Sequence, residues 1–259
     1  MFFEFLNPKR IYRKMGYYDD QSGILRRYGR EKQGWDIHLQ NTRQFVLQSA
    51  LSKNRQSCII LGSGWLLDVP LDELSHLFAS VTLADVRHPA PVRRKAKELG
   101  NVQLITCDIS GFIEPVYHYA RQYRYKKSRP PLDSIVPTSL PDLNIYDFVC
   151  SCNIINQLDI LLVDYLLQFF DLEKDELRAF REKVQAYHIK NLPVQHSCIV
   201  ADYEEKIYSP DNQLIERNIS VYHPITTKPD ARRWTWIFDT AMTYHAGKKT
   251  TFEVLAREV

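Results

Sequence analysis

Two glycines follow the first apolar segment of the chain at a spacing that suits a ligand-binding turn. Residues 58–61 have the composition of a buried strand, and Gly62 and Gly64 come directly after them. Glycine allows a tight turn and a close approach of the backbone to a ligand beside a helix N-terminus. Asp85 ends a second apolar segment about twenty residues further on, where a carboxylate can accept both hydroxyls of a ribose. The combination predicts a nucleoside-binding site.

A third polar residue narrows the class of nucleoside ligand. Asp108 follows the apolar residues 102–105, in a position suited to the exocyclic amine of adenine. Dinucleotide-binding turns carry a third glycine, but Leu67 stands at that position. Without a glycine to cradle phosphates, pyrophosphate binding and a nicotinamide-dependent oxidoreductase are disfavoured.

Amide side chains follow the fourth apolar segment, residues 146–150. Asn153, Asn156 and Gln157 come shortly after Ser151. Their donors and acceptors can orient an acceptor molecule or contact a cofactor, and Asn153 is the preferred site residue. The same amides can instead cap the next helix, and this alternative stays open.

The elements that must position these residues form an α/β pattern. Short apolar runs alternate with helical segments and predict five strands, at residues 58–61, 81–84, 102–105, 146–150 and 198–201. Near-continuous apolar strands separated by helices favour a parallel, doubly wound sheet covered on both faces. Residues 234–238 and 251–256 predict a final antiparallel pair.

The predicted organisation is one structural domain with a helical cap or lid. Residues 1–56 form the cap, whose helix is expected from about Tyr28 to Lys53. Residues 57–259 form the remainder, interrupted near 112–145 and 203–228. The first interruption is expected to begin as a helix and end as a loop. The second is expected to be a hairpin or lid.

At this point residues 57–259 resemble the class I S-adenosylmethionine-dependent methyltransferases. Their Rossmann-like, doubly wound, seven-stranded sheet ends in an antiparallel pair. The resemblance implies S-adenosyl-L-methionine as cofactor, with Gly62 and Gly64 near its methionine part, Asp85 on the ribose, and Asp108 with Ile109 at the adenine. The residues implied in cofactor binding are Gly62, Ser63, Gly64, Asp68, Asp85, Val86, Asp108, Ile109, Ser151, Asn153 and Gln157.

The chain departs from the family pattern around the glycines. Ile60 stands where an acidic residue is frequent, and Leu66 stands where a third glycine is frequent. Asp68 can substitute for the missing carboxylate, or can serve as a helix N-cap or exposed turn residue. These departures motivate an alternative function, a non-catalytic S-adenosylmethionine-binding or regulatory module.

Methyl transfer is an in-line displacement that depends mainly on positioning, with a base needed only when the acceptor must lose a proton. Candidate catalytic residues are His38, Tyr208 and His223, with His88 as a further possibility. For His38 the alternative is a structural helix that packs Trp35 on the sheet. The late aromatic residues can stack on a flat or cationic acceptor or pack in the core: Tyr203, Tyr208, Tyr222, Trp234 and Trp236.

Composition bounds the partners and the compartment. The net charge of +3 gives little general attraction to nucleic acid or anionic membrane. The basic, tyrosine-rich residues 117–129 leave an RNA methyltransferase as an alternative. The five cysteines lie in or beside apolar runs, which favours buried thiols and a reducing cytoplasm. No zinc-ligand spacing, secretory signal or membrane-spanning run is evident, so neither a bound metal nor a membrane partner is expected. The predicted partner is a small-molecule acceptor.

Overall fold

An eight-stranded mixed sheet forms the centre of the molecule. The structure is a computed structural model that describes residues 7–225 and 231–259. The strands are β1 Ser57–Leu61, β2 Ser80–Asp85, β3 Val102–Thr106, β4 Phe148–Cys152, β5 Ser197–Tyr208, β6 Leu214–Ile219, β7 Arg232–Asp239 and β8 Lys249–Glu258.

The strand order confirms the predicted fold class. Seven strands follow the order β3-β2-β1-β4-β5-β8-β7, and β6 adds an eighth beside β5. The first five strands are parallel, whereas β8 runs antiparallel to both β5 and β7. The doubly wound sheet therefore ends in the expected antiparallel pair.

Helices cover both faces of the sheet because β1, β4 and the first half of β5 are buried on both sides. One face packs under α2, α3 and α4, and the other under α1, α5, α6 and α7. Their bounds are α1 Pro8–Lys14, α2 Tyr17–Leu51, α3 Leu71–Leu77, α4 Ala90–Leu99, α5 Ile113–Tyr123, α6 Ile160–Leu167 and α7 Lys174–Lys190. Three 3-10 turns span Leu132–Ser134, Leu143–Ile145 and Ile155–Gln157.

The long helix α2 starts eleven positions before the predicted helix and joins two parts of the molecule. It kinks at Glu31, whose backbone leaves helical geometry and whose carboxylate accepts hydrogen bonds from Thr240 and from the Ala241 N–H. Beyond the kink, the indole N–H of Trp35 donates to the Phe238 carbonyl at 2.8 Å. These contacts fix the second half of α2 on β7.

Among the strand boundaries that differ from the prediction, those of β4 and β5 have a visible cause. β4 begins at Phe148 rather than Tyr146, because the Asp147 carboxylate accepts hydrogen bonds from the backbone N–H groups of Gln56 and Ser57 and ends the loop there. β5 continues to Tyr208 because it pairs with β8 on one side and with β6 on the other.

The two predicted interruptions have their own structures. The first begins as α5 and continues as a loop with two of the 3-10 turns. The second includes the end of β5 and forms a hairpin with β6, whose turn contains Asn212 in the left-handed region. Residues 1–6 of the predicted cap and 226–228 of the second interruption lie outside the described residues.

The parallel register brings the carboxyl ends of four strands to one edge. Leu61 at the end of β1 lies beside Ala84 of β2 and Ser151 of β4, while Asp85 lies beside Thr106 of β3. The chain leaves β1 toward β2 on one side, whereas β4 lies on the other. This is the switch point at which open α/β sheets bind ligands.

Candidate active site

A small cavity lies at this edge of the sheet. The lining residues are Tyr17, Gly62, Asp85, Val86, Asp108, Ile109, Ser110, Ile113, Ile154, Gln157 and Leu158. Six residues predicted from the sequence meet here: Gly62, Asp85, Val86, Asp108, Ile109 and Gln157.

The glycine turn brings backbone close to both the cavity and the next loop. Gly62 has φ of 80° and Gly64 has φ of 48°, both in the left-handed region. A Cβ atom on Gly62 would lie 2.8 Å from Cβ of Ile154. Gly62 is therefore required by the close packing of Ile154 over the turn as well as by its own backbone conformation.

Asp85 is a buried carboxylate at the end of β2, where the sequence predicts a ribose-binding group. Its Oδ2 accepts the Gly64 N–H at 2.7 Å, and its Oδ1 lies 3.3 Å from the Arg87 N–H. The amide of Gln21 reaches Oδ1 from α2 at 3.4 Å, a long hydrogen bond. Burial raises the pKa of Asp85, and the backbone hydrogen bonds from Gly64 and Arg87 oppose that rise.

Tyr17 and Gln21 are functional candidates that the sequence analysis missed. Both belong to the first two turns of α2 and face the cavity or its carboxylate. The Tyr17 hydroxyl and Gln21 Oε1 are buried and have no hydrogen-bond partner within residues 7–225 and 231–259. Burial raises the pKa of Tyr17 well above its usual value, with the Asp108 carboxylate the next contributor, so the hydroxyl stays protonated. The predicted helix began at Tyr28, and nothing in the spacing placed these residues at the site.

Asp108 organises the loop between β3 and α5. Its Oδ1 accepts hydrogen bonds from the backbone N–H and the hydroxyl of Ser110, and its Oδ2 accepts the Ile113 N–H at 2.8 Å. Burial raises the pKa of Asp108, against the effect of these hydrogen bonds. The carboxylate thus shapes the cavity wall and leaves only its remaining lone pairs for a ligand.

His38, Asn153 and Asp68 form a second polar group on the side of the sheet covered by α2. The Trp234 indole N–H, which can only donate, lies 3.1 Å from Nδ1 of His38, so the neutral imidazole carries its proton on Nε2. The Asn153 amide lies 3.2 Å from that Nε2 and 2.6 Å from Asp68 Oδ2. Burial lowers the pKa of His38 to about 3. Because Asn153 Nδ2 is also a donor, its contact with the protonated Nε2 is not a hydrogen bond, and the hydrogen bond from Trp234 is the one that holds the His38 ring.

Asp202 is a further site candidate that the sequence analysis did not single out. It lies on β5, beyond the predicted end of that strand, and is 3% exposed. The Asn156 amide donates to Oδ2 of Asp202 at 2.6 Å, while Oδ1 of Asp202 has no partner among the described residues. Burial, together with the nearby carboxylates of Asp68 and Glu205, raises the pKa of Asp202 to about 7. A carboxyl with this pKa can exchange a proton near neutral pH.

Other predicted site residues lie away from the cavity. Ser63 is buried with an unpartnered hydroxyl. The Ser151 hydroxyl donates to His188 at 2.9 Å inside the core, which directs it away from the edge. Nε2 of His88 lies 3.0 Å from the Ile105 carbonyl. His223 lies near Glu182, at 3.9 Å between Nδ1 and Oε1.

The late aromatic residues serve different parts of the structure. Tyr208 ends β5 at the hairpin with β6, and Arg233 reaches the hydroxyl of Tyr203 on the same strand. Trp236 is buried and stacks on His38 at 4.0 Å between ring centroids, so it belongs to the core beneath α2. None of the catalytic roles predicted for His38, Tyr208 and His223 is tested by these placements, and they stay predictions.

The described residues also bear on metal binding and membrane crossing. Among residues 7–225 and 231–259, no group of three or more His, Cys, Asp or Glu side chains is arranged to hold a metal ion. Within the same described residues, none of the helices combines the length and apolar character that a bilayer crossing requires. All five cysteines are free thiols.

Comparisons with known proteins give structural but not sequence matches. Neither a family model nor a curated protein matches the chain. The chain is similar to a 1,6-didemethyltoxoflavin-N1-methyltransferase of Burkholderia thailandensis solved with S-adenosylhomocysteine, at 11% identity and a TM-score of 0.44, covering 100% of this chain and 94% of that one.

Two further solved structures are similar. One is the N-methyltransferase NodS of Bradyrhizobium japonicum with S-adenosylhomocysteine, at 10% identity and a TM-score of 0.39, covering 84% of this chain and 86% of that one. The other is a DhpI complex with S-adenosylhomocysteine, at 13% identity and a TM-score of 0.39, covering 98% of both chains.

The fold itself follows from the strand order of this chain. Five parallel strands in the order β3-β2-β1-β4-β5 continue into antiparallel β8 and β7. The glycine turn after β1 and the acidic residue ending β2 lie at the switch point of that sheet. The chain therefore has the Rossmann-like fold of the class I S-adenosylmethionine-dependent methyltransferases.

Proposed function

We propose that the protein binds S-adenosylmethionine at the carboxyl ends of β1 to β4 and transfers its methyl group to a small or medium-sized acceptor. The observation that carries the proposal is the buried Asp85 carboxylate, which lines the cavity next to the glycine turn. A carboxylate in this position accepts the two hydroxyls of a ribose. The cavity thus offers the central contact that a nucleoside needs.

The residues around the cavity fit this cofactor chemically. The unpartnered Tyr17 hydroxyl and Gln21 Oε1 are buried polar atoms that a ligand with amino and carboxylate groups can satisfy. Val86 and Ile109, which directly follow Asp85 and Asp108, add apolar lining to the cavity. An adenosine therefore finds acceptors for its hydroxyl and amino groups between apolar surfaces, the combination typical of small-molecule sites.

The contribution of this chain to catalysis is positioning. S-adenosylmethionine supplies a methyl group bonded to a sulfonium sulfur. A lone pair of the acceptor can attack the methyl carbon in line and displace the sulfur. Gly62 and Gly64 provide the turn conformation. Asp85 binds the ribose after its long hydrogen bond from Gln21 breaks. Tyr17 covers the site from α2. Such orientation lowers the barrier because the reactants no longer lose rotational and translational freedom in the transition state.

The acceptor proposed is a small molecule rather than RNA. In the basic segment that suggested RNA, Tyr117 and Tyr119 are buried in the core and unavailable for base stacking, whereas Tyr125 is exposed. The tyrosines that would form a stacking platform are therefore divided between the core and the surface. A non-catalytic binding module shares the cofactor site and differs in one readout, the absence of turnover with any acceptor.

Calorimetric titration with S-adenosylmethionine and S-adenosylhomocysteine tests the proposal. Wild type is compared with Asp85→Ala and with Asp171→Ala, the same change at an exposed residue. Loss of hydrogen bonds to a charged group weakens binding about tenfold or more, so Asp85→Ala is expected to lose affinity and Asp171→Ala to keep it. Asp85→Asn retains an oxygen for the Gly64 N–H and controls for disturbance of the turn.

Two results would overturn the proposed cofactor site. One is a folded wild-type protein that binds neither ligand. The other is equal affinity in wild type and Asp85→Ala. If both ligands bind but no acceptor is methylated in a broad screen, the non-catalytic binding module replaces the enzyme.

A further inference from the structure

Two buried side-chain oxygens lie on the loop after β4 and on β5, next to the residues that line the cavity. Oδ1 of Asn156 and Oδ1 of Asp202 are buried, and neither has a hydrogen-bond partner among the residues that the structure describes. The residues are 8% and 3% exposed. Both atoms are hydrogen-bond acceptors, and leaving such groups unpaired in the interior is costly. The missing partner is therefore a hydrogen-bond donor.

The two oxygens are held together at the carboxyl ends of β4 and β5. Asn156 lies in the 3-10 turn after β4 and donates from Nδ2 to Asp202 Oδ2 at 2.6 Å. The Asn153 N–H donates to the Val200 carbonyl at 2.9 Å, which ties the start of the same loop to β5. Gln157, the last residue of that turn, lines the cofactor cavity. The pair is thus held one residue along the loop from the lining of the cavity.

The charges around Asp202 favour a cationic donor. The carboxylates of Asp68 and Glu205 are the charged neighbours that act on Asp202, and both are acidic. The basic side chain nearest in sequence, Lys206, is engaged with Glu253 at 2.7 Å. An anionic acceptor would be repelled here, whereas an ammonium or amine N–H would be attracted.

We propose that the methyl acceptor is an amine whose N–H groups bind Oδ1 of Asn156 and Asp202, with Asp202 accepting the proton that the nitrogen releases. This inference rests on the proposed function because the methyl group comes from the sulfonium cofactor. The nitrogen lone pair forms the new N–C bond as the C–S bond breaks, and the C–S electron pair stays on sulfur as a thioether. The surplus proton moves from the methylated nitrogen to the Asp202 carboxylate.

The test measures amine binding to protein saturated with S-adenosylhomocysteine, so that it does not depend on turnover. Benzylamine, N-methylbenzylamine, benzyl alcohol and benzoate serve as probes of one size and different donor chemistry. They are titrated at millimolar concentration by calorimetry and protein NMR. Wild type is compared with Asp202→Asn and with Asp171→Asn, which makes the same change at an exposed residue.

The expected result is selective binding of the two amines by wild type and by Asp171→Asn. Loss of a charged hydrogen bond weakens binding about tenfold or more, so Asp202→Asn is expected to lose the amines while its S-adenosylhomocysteine affinity stays unchanged. Because burial raises the pKa of Asp202 to about 7, benzylamine binding to wild type is also expected to strengthen from pH 6 to pH 8.

The outcomes separate the two proposals. If S-adenosylhomocysteine does not bind, the cofactor site fails. If it binds, but the amines bind no better than benzyl alcohol and benzoate, or bind equally to Asp202→Asn, the amine site alone is overturned. Absence of binding by all four probes counts against it as well. If Asp202→Asn does not fold, the pH dependence of benzylamine binding to wild type decides the question.

Discussion

Replacing Asp202 by Asn is expected to stabilise the protein progressively as the pH rises from 5 to 8. Burial, with the carboxylates of Asp68 and Glu205, raises the pKa of Asp202 from an ordinary value of 3.8 to about 7. The folded pKa exceeds the unfolded one, so the contribution to stability is complete below pH 3.8 and is lost as the pH rises through 7. Asn156 donates a hydrogen bond to the carboxylate, and Tyr244 is a further titratable neighbour.

The size of the effect follows from the displacement of the pKa. A displacement of about three pH units, at 1.36 kcal/mol each, corresponds to about 4 kcal/mol over the whole window. About two of those units lie between pH 5 and pH 7, so the free energy of unfolding of Asp202→Asn should gain about 3 kcal/mol over wild type between pH 5 and pH 8. The isosteric amide does not titrate, so the difference between the two proteins isolates this group from the other buried carboxylates.

Urea unfolding at several pH values measures this difference. The slopes with urea concentration should agree between variants, so that midpoints report stability alone. Asp171→Asn controls for removal of one negative charge and should remain parallel to wild type at all pH values. If Asp202→Asn is also parallel to wild type, Asp202 is ionised at pH 5 in the folded protein, and the argument from its buried environment is refuted.

Two further predictions concern the cofactor cavity. Tyr17→Phe removes the buried hydroxyl that has no partner among the described residues, so the free energy of unfolding should stay constant or rise by about 1 kcal/mol. Calorimetry should show weaker binding of S-adenosylhomocysteine. Unchanged binding would show that Tyr17 does not contact the ligand. Gly62→Ala places a Cβ 2.8 Å from Ile154 at a φ of 80° and should destabilise by about 2 kcal/mol or more. Ile154→Gly removes the Cβ that this new atom would meet. In that background Gly62→Ala should lose only the steric part of its cost, and no remaining cost would show that the backbone conformation contributes nothing.

The strand ends of the site were predictable because their surroundings are simple. β1 and β2 are short apolar runs buried on both faces, and their register places Leu61 beside Ala84. Polar residues that follow such runs must meet at one edge, which is why Gly62 and Asp85 could be placed from the sequence. Local composition was sufficient here because parallel strands align their carboxyl ends.

Other parts of the site depend on contacts that local patterns do not contain. The first half of α2 lacks a regular apolar stripe and includes glycines, so Tyr17 and Gln21 fell outside the predicted helix. Asp202 lies where β5 turns polar, and only its pairing with β8 and the bond from Asn156, 46 positions away, make it a buried strand residue. The irregular local pattern of α2 therefore explains the first omission, and long-range pairing explains the second.

The anchoring of α2 has a consequence for the order in which the molecule can assemble. α2 spans about 52 Å at 1.5 Å per residue, and the bond from Trp35 to Phe238 joins positions 203 residues apart. Contacts of such separation form late, because a long loop must close before they stabilise anything. Synthesis makes α2 early, but its platform on β7 exists only once residues 232–239 have emerged. A nascent chain with the glycine turn and Asp85 already folded would still lack the platform that fixes the second half of α2.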